Sequence, residues 1–249
     1  MRIATINVRG MRNRNKRRTV YRFLKQNKYN IALLQETYIA KEDVNKWCTE
    51  WGGHLYAAPH TNHSRGLVIL TRGMNCNVKN IEVEDYKTRV QIVKIEVENQ
   101  NYCVINLYAP NQDAEKAIFY ERVAVMLKKY VDFELENVVI GGDMNTLCEP
   151  KMDNIAGENP SQRVLESFRK FRSELQLVDV WRQINPGKKE FTWKRNTPFI
   201  ARRLDCLFVN NILSGKCDKA EIIPFPNSDH QLVFADLNMN ICVKFLTKI

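Results

Sequence analysis

Short apolar runs, each closed by a polar residue, recur along the whole chain and alternate with a few stretches of helical period. Continuous or alternating apolar runs of four to eight residues predict strands, and apolar residues three to four apart predict helices. Strands are expected at Ile3 to Val8, Ile31 to Glu36, Leu67 to Thr71, Val90 to Val97 and Tyr102 to Tyr108. Val138 to Ile140 reads as another, broken by Gly141-Gly142. The last third adds Phe191 to Lys194, Leu204 to Val209, Ala220 to Ile223 and Leu232 to Leu237. The basic stretch Arg12 to Arg18 leads into a helix carrying Val20, Phe23 and Leu24, and Lys41 to Trp51 reads as a second. Ala114 to Val131 places Phe119, Val123, Met126 and Tyr130 along one side. Asn159-Pro160-Ser161 opens a further helix, with Leu165, Phe168 and Leu175 on its buried face.

Mixed elements without a linker predict one α/β domain over residues 1–239, and 240–249 reads as the start of a connector to further protein. Strand pairs with no helix between them imply antiparallel stretches, so the expected architecture is two packed mixed β-sheets flanked by helices. Composition narrows the setting. The seven cysteines are odd in number and lack CxxC spacing, which fits reduced thiols better than a disulfide framework or a zinc site. No apolar run approaches bilayer length, and no membrane partner is expected. The net charge of +10 points to a polyanionic partner.

The chemistry lies where the apolar runs stop. Asn7 follows Ile3 to Ile6, and Glu36 follows Ile31 to Leu34. Asp143 and Asn145 follow the glycine pair, Asp205 is flanked by Leu204 and Leu207, and Asp229-His230 precedes Leu232. Groups at strand ends of α/β folds line ligand crevices. Each alone is also an ordinary turn residue. Asp205, in apolar company, needs a partner, and His230 beside Asp229 makes a carboxylate–imidazole pair plausible.

In order along the chain stand Asn7-Val8-Arg9-Gly10, Leu34-Gln35-Glu36-Thr37, Asn106-Leu107-Tyr108-Ala109-Pro110-Asn111, Gly141-Gly142-Asp143-Met144-Asn145, Phe191-Thr192-Trp193, Arg203-Leu204-Asp205 and Ser228-Asp229-His230. This series resembles the exonuclease–endonuclease–phosphatase superfamily. It looks nearest to the apurinic-type endonuclease domains of LINE-like non-LTR retrotransposons. The resemblance implies a four-layer α/β sandwich. It implies nicking of double-stranded DNA to leave a 3′-hydroxyl, priming a reverse transcriptase that follows in the same polypeptide and acting in the nucleus.

A hard cation bound by oxygen suits that chemistry, so Mg²⁺ is expected, with Mn²⁺ as a substitute. Glu36 is the leading ligand. Asn7 is an oxygen donor or a hydrogen-bonding partner of the ligand carboxylate, and Asp229 supports the metal or the imidazole. By similarity, Asp143 orients or deprotonates the attacking water, Asn145 holds the geometry, His230 contacts the phosphate and Asp205 fixes its tautomer. Tyr108 and Asn111 are neutral phosphate donors. Thr192 and Ser228 join the phosphate-contacting group, Thr192 through the backbone or the site network. Arg9 departs from the apurinic repair enzymes, which typically carry an acid there. An arginine cannot ligate a cation and suits a phosphate.

For DNA contact the cluster Arg12, Arg14, Lys16, Arg17 and Arg18 is expected on phosphates. A turn from Lys194-Arg195-Asn196 to Arg202 reads as a hairpin, and in the resembling endonucleases a hairpin here touches the minor groove. The competing readings are an abasic-site repair enzyme or a phosphatase on the same fold, and a non-catalytic nucleic-acid-binding module.

Overall fold

The computed structural model describes residues 1–60, 64–83 and 85–238; the expected connector, 240–249, lies outside the described residues. The first half contains β1 (Arg2–Asn7), α1 (Arg14–Gln26), β2 (Ile31–Gln35), a 3₁₀ turn (Lys41–Asp43), α2 (Val44–Trp51), β3 (His54–Ala58), β4 (Leu67–Thr71), β5 (Cys76–Ile81), β6 (Val90–Val97) and β7 (Gln100–Tyr108). Next come α3 (Asp113–Tyr130), β8 (Asn137–Asp143), α4 (Pro150–Asp153), β9 (Asn154–Ile155), α5 (Gln162–Glu174), β10 (Leu177–Asp179) and α6 (Val180–Ile184). The chain continues with β11 (Trp193–Asn196), β12 (Phe199–Arg202), β13 (Asp205–Asn210), α7 (Asn211–Ser214), β14 (Cys217–Ile223) and β15 (Leu232–Leu237).

Two six-stranded sheets form, in the orders β14-β15-β1-β2-β4-β3 and β10-β13-β8-β7-β6-β5, and β11-β12-β9 make a small third sheet. Each large sheet has one parallel pair at its centre, β1 with β2 and β7 with β8. Parallel neighbours need a crossover, and α1 and α3 supply it. Three apolar clusters set the layers. Ile3, Leu33, Val104, Val139 and Leu207 fill the space between the sheets. Val20, Leu24, Trp47 and Trp51 pack α1 and α2 on one outer face, and Phe119, Tyr120, Val123, Phe168 and Phe171 pack α3 and α5 on the other. The result is the α/β/β/α sandwich.

The inter-sheet layer is not wholly apolar. The Gln35 amide donates to Asn106 Oδ1 at 2.7 Å and Thr5 Oγ1 at 3.0 Å, while Asn106 donates to the carbonyls of Leu34 and Val68 at 3.0 and 3.2 Å. Buried amides bonded on both sides hold the sheets in register just beneath their polar ends.

Several expectations change on folding. The glycine pair does not break its strand, because β8 runs through it to Asp143. Its role is close approach. A Cβ on Gly141 would stand 2.5 Å from Leu33 Cδ1 of the facing sheet, and one on Gly142 would stand 1.9 Å from the Leu107 carbonyl oxygen. The first helix begins at Arg14 because the Asn13 side chain caps it, accepting from the backbone N–H groups of Asn15 and Lys16 at 2.9 and 3.1 Å. Lys41 to Trp51 opens as a 3₁₀ turn and becomes α-helical only at Val44. In α5 the buried face carries Val164 rather than Leu165, which is half-buried. The strand expected from Phe191 starts at Trp193. The edge strands β3 and β5 were not expected.

Candidate active site

The register lines up the polar strand ends. Tyr108 of β7 stands opposite Asp143 of β8, and Asp143 opposite Asp205 of β13. In the other sheet, Asn7 stands opposite Gln35, and Glu36 follows at the next position. His230 leads into β15, which pairs with β1, and it bridges to Trp193. Every strand-end residue expected from the sequence therefore reaches the same end of the sandwich. Glu36 and Asn145 both adopt left-handed backbone, at φ 49° and 48°. Such backbone costs on the order of 1–3 kcal/mol outside glycine and concentrates at functional sites.

Asn7 ties the sheets together there. Its amide nitrogen donates to Glu36 Oε1 at 2.9 Å and to Asp143 Oδ2 at 3.0 Å, and its Oδ1 accepts from the Arg9 backbone N–H at 3.1 Å. Glu36 also accepts from the Tyr108 hydroxyl at 2.7 Å and the Tyr38 hydroxyl at 3.1 Å. Asp143 Oδ1 accepts from the Asn145 backbone N–H at 2.9 Å, and the Asn145 amide is anchored on the Ala109 carbonyl at 2.8 Å. His230 Nδ1 meets Asp205 Oδ2 at 2.8 Å, which leaves Nε2 for the cleft. Arg9 donates to Asp229 Oδ2, which also accepts from Trp193 Nε1 at 3.0 Å.

The electrostatics follow from burial. Asp143 is 2% exposed. Desolvation, then the charge of Asp205, push its carboxyl up to about 7 against the pull of His230. Burial disfavours the charged His230 imidazole, yet the Asp205 carboxylate beside it outweighs that and raises it to about 9. Burial and the Glu36 charge raise the Tyr108 hydroxyl, which stays a neutral donor.

An open cleft of about 630 Å³ lies over these groups. Of the residues expected on the site, Arg9, Glu36, Tyr108, Asn111, Asp143, Asn145, Arg202, Asp229 and His230 line it. Asn7 and Asp205 lie beneath and hold the residues that do. A cavity of about 670 Å³ at the opposite end, against Met1 and Asn30, contains none of them.

Two assignments change, those of Arg17 and Ser228, and two that had alternatives are decided, those of Thr192 and Asn7. Arg17 is not a phosphate ligand: it is 1% exposed, forms a two-nitrogen ion pair with Glu50 and donates to the Met11 carbonyl at 2.9 Å. Thr192 is fully buried, and its hydroxyl accepts from the backbone N–H groups of Leu204 and Asp205 at 2.9 and 3.0 Å, so it sets the strand start and does not touch phosphate. Ser228 donates to the Asn7 carbonyl at 2.7 Å and accepts from the His230 N–H at 3.1 Å, a turn-closing role. Asn7 presents its N–H₂ to both carboxylates, so it orients ligands rather than acting as one. Arg14 remains exposed, with Glu50 at 3.8 Å, and Lys16 donates to the Arg9 carbonyl at 3.0 Å. Lys194, Arg195 and Asn196 are exposed on the β11–β12 hairpin, apart from the Asp143 cluster.

The cleft also contains Tyr38, Arg65 and Arg89, to which sequence reasoning gave no role. The Arg89 guanidinium lies over the Tyr108 ring at 5.5 Å and donates to the Tyr108 carbonyl at 3.2 Å. A basic residue immediately before a strand, Arg89 before Val90, is the one signal that marked it.

Among the described residues, ligand atoms of Asp143, Asp205 and His230 lie within 4.8 Å of one another. Asp205 Oδ1 and Asp229 Oδ1 are buried without a hydrogen-bond partner, so oxygen acceptors remain. Cys148, Asp179 and Cys206 also cluster, but the Arg203 guanidinium stands 2.8 Å from Asp179 and 3.6 Å from Cys206 Sγ, a poor setting for a cation.

Comparison with known proteins matches this geometry to others. The chain is 28% identical over 241 residues to the "Transposon TX1 uncharacterized 149 kDa protein" of Xenopus laevis, covering 96% of this chain and 18% of that protein. Its fold is similar to an AP endonuclease from Archaeoglobus fulgidus, with TM-score 0.77, 23% identity and coverage of 95% and 99% of the two chains. It is also similar to a 3′-5′ exonuclease (NExo) from Neisseria meningitidis, with TM-score 0.76, 18% identity and coverage of 96% and 100%. Residues 4–230, from the second residue of β1's buried core to the imidazole of the cleft, match the endonuclease/exonuclease/phosphatase family, to which this chain belongs as a hydrolytic enzyme.

Proposed function

We propose that the protein nicks double-stranded DNA with Mg²⁺, leaving a 3′-hydroxyl that primes reverse transcription by another part of a larger retrotransposon polypeptide. The observation that carries the reading is the convergence of Asp143, Asp205 and His230 within 4.8 Å, beneath a cleft rimmed by arginines. The Xenopus relative is named as a transposon protein, and this chain spans 18% of its length, which agrees with a domain of a longer protein.

The site residues fit a hard divalent cation, because Glu36 and Asp143 are carboxylates joined through the Asn7 amide and hydrogen-bonded by neutral donors alone. Glu36 and Asp143 would hold it. Bound there, it would offset charge on the phosphate oxygens and assist departure of the leaving oxygen. The protein's own groups do the rest. Asp143, its Oδ1 fixed by the Asn145 N–H, takes the proton of the attacking water. His230, kept cationic by Asp205, donates from Nε2 to a non-bridging phosphate oxygen. Tyr108 fixes Glu36, and Asn111 is free to donate to phosphate.

Duplex DNA suits the rim. Arg9, Arg65, Arg89 and Arg202 line a cleft whose apolar lining is limited to Leu204 and Trp193, beside the aromatic Tyr38 and Tyr108. The hairpin adds Lys194 and Arg195, with Phe199 half-exposed near its tip. Basic groups with an apolar tip match groove width and deformability better than base-by-base readout.

Glu36→Ala and Asp143→Ala are the test. Nicking of intact supercoiled plasmid with Mg²⁺ is expected to fall by at least roughly 10²-fold, while salt-dependent DNA binding persists. Equal nicking by wild type and variants would remove the assigned chemistry. Activity confined to abasic-site DNA would place the protein with repair enzymes instead.

A further inference from the structure

We infer that Arg9 is a built-in cation: its guanidinium neutralises Asp229 at the mouth of the cleft, so the site takes one divalent ion where the bare carboxylates would take two. The inference rests on the metal-dependent reading above.

The charges around the Asn7 amide and the His230 ring can be matched one by one. Four carboxylates converge there: Glu36, Asp143, Asp205 and Asp229. Asp205 is matched by His230 at 2.8 Å, and Asp229 by the Arg9 guanidinium. Glu36 and Asp143 have only neutral donors on them, the Asn7 amide, two tyrosine hydroxyls and one backbone N–H. Two carboxylates with no cation hydrogen-bonded to them, joined through one amide, suit a single doubly charged ion. Releasing Asp229 would add a third carboxylate and enough negative charge to attract another ion.

Arg9 is placed for this by its backbone, not by chance contact of a long side chain. Its φ is +46°, its N–H bonds Asn7 Oδ1 at 3.1 Å, and its carbonyl accepts from Lys16 at 3.0 Å. Asp229 Oδ2 also accepts from Trp193 Nε1 at 3.0 Å, which fixes the carboxylate on the same oxygen. Its Oδ1 is buried and has no partner. That carboxylate is therefore oriented and holds a spare acceptor, kept from a metal by the guanidinium on its other oxygen. The Arg9 side chain is 57% exposed and lines the cleft.

Mn²⁺ is the probe, counted by electron paramagnetic resonance and calorimetry on the full chain without DNA. Wild type is expected to bind one Mn²⁺. Arg9→Asp adds a ligand and frees Asp229, and is expected to bind two, the second at least tenfold tighter than any second site in wild type. Aspartate tolerates left-handed backbone better than most residues, so the turn survives. Arg9→Gln frees Asp229 without adding charge, and is expected to show a weaker second site; it decides the matter should Arg9→Asp misfold. Two comparable Mn²⁺ sites in wild type, none in wild type, or a single site in the folded variants overturns the inference. Plasmid nicking on the same preparations separates the two readings. One bound Mn²⁺ without nicking removes the nuclease and leaves Arg9 its role, whereas nicking with two bound ions removes the role of Arg9 alone.

Discussion

Two buried clusters of acids lie a few residues apart in this protein and are built on opposite rules. Behind the cleft, Asp153 accepts from Arg203 Nε and Nη2 at 2.8 and 3.0 Å and from Arg182 Nη2 at 2.7 Å, and Arg203 also meets Asp179 at 2.8 Å. Both guanidiniums stack near Trp181. Burial raises the cost of a charged Asp179, but the Arg203 charge more than offsets it and holds the carboxyl below its usual range. In the cleft, Asp143 is equally buried, sits beside another acid, and is raised to about 7. The first cluster is closed: each acid has its guanidinium. The second withholds cations from Glu36 and Asp143 and holds them with neutral donors. A carboxylate committed to an arginine cannot take a proton near neutrality or bind a metal; one held by amides and hydroxyls can.

The contrast predicts opposite responses to similar changes. Asp153→Asn removes the carboxylate shared by two buried guanidiniums, leaving Arg203 with Asp179 alone and Arg182 with Glu149 at 3.7 Å, and loss of one member of a buried ion cluster costs about 3–5 kcal/mol. For a chain of this size that is a fall in Tm of roughly 6–20 °C. Asp143→Asn removes a charge the fold holds at a cost, and its Tm is expected to stay level or rise while nicking is lost. A scanning-calorimetry trace in which Asp143→Asn melts as early as Asp153→Asn would erase the distinction.

Titration gives the next largest effect. Asp143 has its carboxyl raised from 3.8 to about 7 in the folded chain, so its stabilising proton is fully in place below about 3.8 and lost as pH rises through 7. His230 is raised from 6.5 to about 9, so its contribution is complete below 6.5 and lost as pH rises through 9. Without metal, Tm is expected to decline across both windows, with the lower decline absent in Asp143→Asn and the upper absent in His230→Gln. Identical profiles in all three proteins would contradict the assignment.

Charges with no protein partner give the smallest effect. Arg195, exposed on the hairpin, is expected to lower the salt slope of DNA binding by about 1 when changed to Gln. Exchange of the whole hairpin is expected to move the nicked positions while the rate at a fixed site stays nearly constant. An unmoved cleavage map on long duplex DNA would deny the hairpin a part in target choice.

Where an apolar run met a polar residue, the chain was readable. β1, β2, β8, β13 and β15 are near-continuous apolar strands, and Asn7, Glu36, Asp143, Asp205 and His230 at or beside their ends stand out for that reason, whereas Tyr108 at the end of β7 was marked only by the family resemblance. The edge strands were not readable. Cys76 to Ile81 alternates with exposed polar residues, and His54 to Ala58 is short and ends in two alanines, so neither presents a buried run. Arg17 was misread because a basic cluster shows charge but not burial; only the packing of α2 brings Glu50 to it. Ser228 was misread because a hydroxyl near a site can serve the backbone as readily as a phosphate.

The order of polar residues along the chain determined which chemistry this protein can perform, because hydrophobic burial forces each strand to stop where its charged or amide residue begins. Tertiary structure alone decided which of those acids would be neutralised and which left open. That choice depends on partners such as His230 for Asp205 and Arg9 for Asp229, which are 25 and 220 residues away in sequence; the first pair meets only when the two sheets pack, the second only when β1 pairs with β15.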